Sequence, residues 1–313
     1  MTDFDIIIIG AGPAGLTAAQ YGARANLKVL VIEKLSYGGQ ALVIDVLENY
    51  PGFLEQKSGF EFAVNLHQQA ENFGAVFLSG SVCSLKKENG IFLVNLEDGS
   101  ILRASAVIMA TGAKPRLLDV PGEKEFSGKG VSYCATCDGN FFKGKKIFVV
   151  GGGDAACDEA RYLSRLTDKV ILIHRRDSFR AQKSLVERTL KNPNITVRYN
   201  TIIKEIKGDN KVKSVILADT VTANTDVSAY EEETDAVFIF AGTVPQVSLV
   251  STADFKIELD ENGYIITDQK MATNITGLFA AGDVRSGVFR QVVTAAADGA
   301  TAAHNAAGYL DAN

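Results

Sequence analysis

The segment Cys134-Ala135-Thr136-Cys137-Asp138 puts two thiols three positions apart with a carboxylate directly behind them. A pair this close at a helix start can lower the pKa of one thiol and can open and close a disulfide, as thiol–disulfide exchange requires. Asp138 can hand a proton to the departing thiolate or take one from it; its other use is as a helix-capping acid. The pair has two alternative uses, a zinc half-site and inert structural thiols. Structural zinc needs about four ligands, whereas Cys83 and Cys157 stand alone and the three histidines are scattered, so no metal site is expected. Cys83, in a strand-like run, and Cys157, in a helix, read as small core residues. Phe141 and Phe142 follow the redox turn, either as buried core or as an exposed anchor for a docking protein.

Two glycine turns accompany the thiols. In Gly10-Ala11-Gly12-Pro13-Ala14-Gly15 the first glycine permits the tight turn, the second lets backbone approach a pyrophosphate, and the third lets helix and strand pack closely. The helix N-terminus then faces the phosphates. Glu33 lies 18 residues past Gly15, at the end of the next strand, where a carboxylate accepts from ribose hydroxyls. A structural glycine turn is the alternative, and the following acid argues against it. The second turn, Gly151-Gly152-Gly153-Asp154-Ala155-Ala156, keeps the two functional glycines and carries alanine at the packing position, which the motif accepts. Its strand ends in His174-Arg175-Arg176, with Arg180 just beyond, so cations stand where the first unit has an acid. Arginines bind a 2′-phosphate that a carboxylate would repel, which points to NADPH rather than a merely solvated basic face.

The elements around these residues repeat. A strand from Phe4 to Ile9, a helix from Pro13 to about Ala25 and a strand from Lys28 to Glu33 form a βαβ unit. The same grammar returns from Lys146, with a strand to Val150, a helix to about Leu166 and a strand from Lys169 to His174. Between the units, Ile91 to Leu96 and Val107 to Ala110 suggest a hairpin that rejoins the first sheet. After a strand from Ala236 to Ala241, the remaining tail carries a strand at Leu278 to Ala281 and an alanine-rich helix after Gln291, and is expected to complete the first domain. The expected fold is α/β, with two Rossmann-like dinucleotide-binding domains, one inserted into a discontinuous other. The boundaries fall at 1–115 with 246–313, and 116–245.

Hydrophobic residues at 46% and charged residues at 22% suit a soluble chain with a substantial core. A net charge of −5 supplies no basic field for nucleic acid or an anionic membrane. The run Ile6 to Ile9 follows Asp3 and Asp5, lacks the basic start and length of a signal peptide, and no run reaches the ~20 residues that span a bilayer. Four cysteines make no disulfide framework, so a reducing cytoplasm is expected.

Taken together, these motifs resemble the low-molecular-weight, bacterial-type thioredoxin reductases. The similarity runs through Gly38-Gly39-Gln40, Glu48-Asn49-Tyr50-Pro51-Gly52, Ala110-Thr111-Gly112, Cys134 to Gly139, His174-Arg175-Arg176, Gly282-Asp283 and Arg290-Gln291, and so covers essentially the whole chain. It implies FAD on the discontinuous domain, held by Gly10, Gly12, Pro13, Ala14, Gly15, Glu33, Lys34, Gly39, Gln40, Asn49, Ala110, Thr111, Gly112, Asp283, Arg290, Gln291 and Val292. NADPH would lie on the inserted domain at Gly151, Gly153, Asp154, Ala155, His174, Arg175, Arg176 and Arg180. Cys137 would be the thiol nearest the flavin, Cys134 the thiol that attacks the partner, and Asp138 the proton carrier. The substrate would be oxidised thioredoxin or a thioredoxin-like protein, and the enzyme, a thioredoxin-disulfide reductase, a homodimer. Where the family often has Gly-His-x-Pro-Asn, this chain has Gly242-Thr243-Val244-Pro245-Gln246. Rival readings are a reductase serving a peroxide-reducing system, a ferredoxin-type flavin reductase, which lacks the dithiol, and a nucleotide-sensing regulator that turns over nothing.

Nucleotides bind at the carboxyl ends of parallel strands, so nicotinamide is expected at the Gly151 edge of the second sheet. Cys137 precedes the strand that starts at Lys146, which sets the dithiol toward the opposite edge, about 17 Å away for a five-residue strand. On that geometry the enzyme alternates between two domain arrangements, hinged near residues 114–118 and 242–247.

Overall fold

The computed structural model describes residues 2–44, 47, 50–55, 57–220, 229–287 and 289–312. The chain begins with β1 (Phe4–Ile9), α1 (Pro13–Arg24) and β2 (Val29–Glu33), followed by α2 (Gly59–Asn72), β3 (Val76–Ser79), β4 (Val82–Glu88), β5 (Ile91–Leu96), β6 (Ile101–Met109) and β7 (Ala113–Pro115). It continues through β8 (Val131–Ser132), α3 (Ala135–Asp138), β9 (Ile147–Gly151), α4 (Asp154–Leu163), β10 (Val170–Ile173), α5 (Lys183–Leu190), β11 (Ile195–Arg198), β12 (Thr201–Gly208), β13 (Val212–Asp219), β14 (Tyr230–Glu233) and β15 (Ala236–Phe240). The last elements are β16 (Thr243–Pro245), α6 (Ser248–Thr252), β17 (Leu278–Ala280) and α7 (Val292–Asp311). The chain divides into two compact units, Met1–Lys114 with Val244–Asn313, and Pro115–Thr243.

In the first unit the sheet order is β3-β2-β1-β6-β5-β4. β1 is apolar on both faces from Ile6 to Ile9, as a central parallel strand covered on both sides must be. β6 is long enough to serve two partners on one flank: residues 101–104 pair antiparallel with β5, and residues 107–109 pair parallel with β17. The C-terminal segment thus inserts into the main sheet, level with Ile9 and Met109. α7 packs on α1 through Gly299, where a Cβ would lie 2.0 Å from the Ala14 carbonyl oxygen. This register brings Gly10, Ala110 to Gly112 and Gly282 to one carboxyl edge.

In the second unit β11-β10-β9-β15-β8 are all parallel, and β12-β13-β14 form a separate antiparallel sheet. α4 ends at Leu163 rather than near Leu166, because its last carbonyls are taken by turns: Arg165 N–H donates to Tyr162 O, and Leu166 N–H to Leu163 O.

The edge strand β8 overturns the expected position of the dithiol. Val131 and Ser132 pair parallel with Val237 and Phe238, which are level with Phe148 and Val149. Cys134 therefore leaves the sheet at its carboxyl end, the same edge as Gly151. The two sites are offset sideways across β15, not placed at opposite edges.

Candidate active site

Cys134 and Cys137 are joined, with an S–S distance of 2.01 Å. Cys134 is the N-cap of α3, and its backbone is held by Ser132, whose Oγ accepts from Cys134 N at 3.1 Å and donates to Cys134 O at 3.2 Å. Cys137 N–H points at Cys134 Sγ, 3.2 Å away. Cys134 is half-buried and Cys137 only 4% exposed, so an incoming protein can reach the first sulfur and not the second. Asp138 follows, half-buried.

The first glycine turn is shaped by contacts that exclude side chains. Gly10 has φ +102°, and a Cβ there would lie 2.4 Å from Ala110 O; at Gly15 it would lie 1.9 Å from Gly10 O. Gly12 is different, since a Cβ there meets no heavy atom within 4 Å. Open space in front of an N-cap glycine with no side-chain cap is the cradle a diphosphate requires. Glu33 accepts from Ala11 N–H at 2.8 Å and Leu35 N–H at 2.9 Å, leaving acceptor capacity for ribose hydroxyls. Lys34 pairs with Glu97 at 3.2 Å. Gly38 N–H donates to Ala11 O at 2.7 Å, which seats Gly39 and Gln40 on the turn, and Gln40 Nε2 donates to Ala113 O. Gly282 packs on Ala14, and burial pushes the Asp283 carboxyl up, with Arg290 opposing and Asp298 adding to the shift. Arg290 stacks over Tyr264 at 4.0 Å, and its buried Nε has no hydrogen-bond partner among the described residues. Gln291 and Thr294 form a capping box that opens α7 at Val292. Asn49 lies outside the described residues. These residues fit a flavin dinucleotide: an open glycine N-cap, a ribose-side acid and an unsatisfied buried donor stand in one unit.

The second turn repeats the arrangement. Gly153 is an N-cap with no side-chain cap and open space before it. Gly152 is required for a reason the motif does not state, because a Cβ would lie 2.1 Å from the His174 ring. Burial lowers the His174 pKa, helped by Arg180 and Arg176, which favours the neutral ring. Arg175, Arg176 and Arg180 are exposed, and none has an ion-pair partner among the described residues. Asp154 accepts from Gln182 N at 2.8 Å and Nε2 at 3.0 Å, tying the turn to α5, while Ala155 is exposed. The three unpaired guanidiniums fit a phosphorylated ribose.

Several residues were not legible as site components. Gln246 pins the end of β6: its N–H donates to Gly112 O at 2.9 Å, its Nε2 to Thr111 O at 2.7 Å, and its carbonyl accepts from Thr111 Oγ1 at 2.7 Å. Here Gln246 occupies the last place of the departing loop sequence and does the clamping. Cys83 is exposed on the edge strand β4, not a core residue as expected, whereas Cys157 is buried and burial raises its pKa. The aromatic pair divides. Phe142 packs on Phe238 with ring centroids 5.8 Å apart, and Phe141 is 72% exposed.

Among the described residues no helix is long and apolar enough to cross a membrane, and no cluster of His, Cys, Asp or Glu could hold a metal. The chain matches the pyridine nucleotide-disulphide oxidoreductase family over residues 4–299. It is 54% identical over 310 residues to a thioredoxin reductase of Treponema pallidum, covering 99% of this chain and 98% of that protein. A thioredoxin reductase of Peptoclostridium acidaminophilum is 46% identical, with 99% and 98% covered. The crystal structure of Streptococcus pyogenes thioredoxin reductase superposes with a TM-score of 0.80 at 41% identity, 99% of each chain covered. That of Lactococcus lactis gives 0.78 at 40% identity, with 99% of this chain and 100% of that chain covered. The chain belongs to the pyridine nucleotide-disulphide oxidoreductase family, among its bacterial-type thioredoxin reductases.

Proposed function

We infer that this chain is an NADPH-dependent flavoprotein disulfide reductase that reduces oxidised thioredoxin or a thioredoxin-like protein. The observation that carries the reading is the Cys134–Cys137 disulfide, with an accessible first sulfur and a buried second, in the same unit as a glycine turn flanked by unpaired arginines. Thioredoxin reductases of this family contain FAD and use NADPH. FAD, when bound, would supply the relay that takes hydride from NADPH and passes two electrons to the Cys134–Cys137 disulfide, opening it to the dithiol. Residues 1–115 and 246–313 hold FAD, with Gly12 at the diphosphate, Glu33 at the adenosine ribose, and Asp283, Arg290 and Gln291 toward the flavin. Residues 116–245 hold NADPH, with Gly153 at the diphosphate and Arg175, Arg176 and Arg180 at the 2′-phosphate.

The chain's own residues carry the exchange. The Cys134 thiolate attacks one sulfur of the partner disulfide; a mixed disulfide forms, and the partner's other sulfur leaves and takes a proton. Cys137, deprotonated by Asp138, attacks Cys134 Sγ, which breaks the mixed disulfide, restores the Cys134–Cys137 bond and frees the partner as a dithiol. Burial of Cys137 keeps it from reacting with outside disulfides and reserves it for this second step. The protein acts as a homodimer in the cytoplasm, where a reducing pool suits two unpaired thiols. The test is NADPH consumption against a panel of oxidised thioredoxin-like proteins. Steady turnover with at least one is expected, and none with any would overturn the assignment.

A further inference from the structure

Glu123 is completely buried and has no cation beside it among the described residues. Its carboxylate is held by three donors instead: Leu118 N–H at 2.9 Å, Asp119 N–H at 2.7 Å and the Tyr133 hydroxyl at 2.9 Å. A buried carboxylate is costly, and an apolar side chain of similar volume would often stabilise the fold as well, so the acid calls for a reason beyond packing. The donors show one. Two belong to the segment that leaves the crossing strand β7, and the third is the side chain directly before Cys134.

The loop end of this tie is rigid. Asp119 adopts φ +56° and Gly122 φ +83°, a Cβ on Gly122 would lie 1.9 Å from Ile206 O, and Ile206 N–H donates to Pro121 O at 2.9 Å. The other end is the redox turn, where Ser132 Oγ already grips the backbone of Cys134 from one side. Tyr133, the residue before it, packs against the buried cluster that contains Phe126, Val131 and Phe148. Burial, reinforced by Glu123, pushes the phenol pKa well above its ordinary value, so the hydroxyl remains a donor throughout the working pH range.

We propose that Glu123 is a positioning residue for the exchange reaction, acting through the Tyr133 hydroxyl to set the direction in which Cys134 meets a partner disulfide. Attack on a disulfide needs the incoming sulfur aligned with the bond that breaks, and a misplacement near 1 Å costs as much as ~10²-fold in rate. Reduction of flavin by NADPH needs no such alignment, and its rate is independent of the tie. The proposal rests on the thioredoxin reductase reading, and its test keeps the two apart.

The test uses the FAD-loaded enzyme and the Tyr133→Phe variant, which removes one oxygen and leaves the ring in its packing. With oxidised thioredoxin, kcat is expected to fall about tenfold with little change in KM, while flavin reduction by NADPH in stopped flow stays at the unmodified value and the urea midpoint falls modestly, since the buried carboxylate loses one of its three donors. Glu123→Gln, whose one oxygen can keep Leu118 N–H and the phenol while its amide nitrogen faces Asp119 N–H, is expected to lower the urea midpoint yet retain more of kcat than Tyr133→Phe. Full kcat in Tyr133→Phe, or a loss of kcat matched by an equal loss of flavin reduction, would overturn the positioning role. An unmodified enzyme that reduced no thioredoxin-like protein would sink the functional reading instead.

Discussion

Gly12 and Gly153 are conformational counterparts: each is the N-cap of the helix behind its glycine turn, each has ψ −177°, and a Cβ on either would meet no heavy atom within 4 Å. Neither has a positive φ, so neither is needed for backbone conformation. What they have in common is open space in front of a helix N-terminus, whose first N–H groups find no partner within the helix. Gly12→Ala should therefore fold normally and lose FAD on dialysis, whereas Gly153→Ala should keep FAD and raise KM for NADPH about tenfold, or ~1.4 kcal/mol. Gly15→Ala is the control, since its Cβ would lie 1.9 Å from Gly10 O and should impair folding itself. FAD content and nucleotide KM separate the three.

The arginines of the second unit make a second prediction. Arg175 and Arg176 have no ion-pair partner among the described residues, so removing them breaks no internal bridge. Arg175→Ala with Arg176→Ala should raise KM for NADPH by 10- to 100-fold, given ~1.5–3 kcal/mol for a hydrogen bond to a charged group, and leave KM for NADH unchanged. Equal use of the two nucleotides by the unmodified enzyme would contradict the phosphate assignment.

Phe141 and Phe142 should separate function from stability. Phe141→Ala should raise KM for the protein substrate several-fold and leave turnover of a small disulfide reagent alone. Phe142→Ala removes the ring packed on Phe238 and should cost about 2 kcal/mol in urea unfolding. If Phe141→Ala changed both substrates alike, a docking role for that ring would be excluded.

Glu159 supplies a pH prediction. Burial, with Asp158 adding to it, pushes its carboxyl up to about 7. A raised acid means that the folded state holds the proton longer than the unfolded chain. The associated stability is complete below the unfolded carboxyl pKa near ~4.3 and is lost as pH rises through about 7. Glu159→Gln should lose less stability between pH 5 and pH 8 than the unmodified protein, by about 2 kcal/mol, read from urea midpoints at the two pH values. Parallel curves would show that Glu159 is solvated in the fold.

The chemistry was more legible than its placement. Gly10, Gly12, Gly15 and Glu33 announce a nucleotide turn because each answers a separate steric or polar demand, and the Cys134/Cys137 spacing identifies an exchangeable pair. The position of that pair was not legible. It depends on β8, two residues long, and two residues carry no periodicity to read. Cys83 was misjudged because exposure on β4 follows from its place at the sheet edge, a property of topology rather than of the local run. Glu123 gave no signal either. An acid in a charged, glycine-bearing loop reads as solvated, and only the folded loop brings two N–H groups and a distant phenol to it.

The central claim is that electrons reach the partner only through Cys134 and Cys137, and it is tested most directly by dividing the reaction at the flavin. Cys134→Ser and Cys137→Ser, each loaded with FAD, are mixed with NADPH and then with oxidised thioredoxin, following flavin absorbance first and thioredoxin thiols second. The account predicts that both variants bleach their flavin at the rate of the unmodified enzyme and produce no thioredoxin thiols. Sustained thioredoxin reduction by either variant would contradict it.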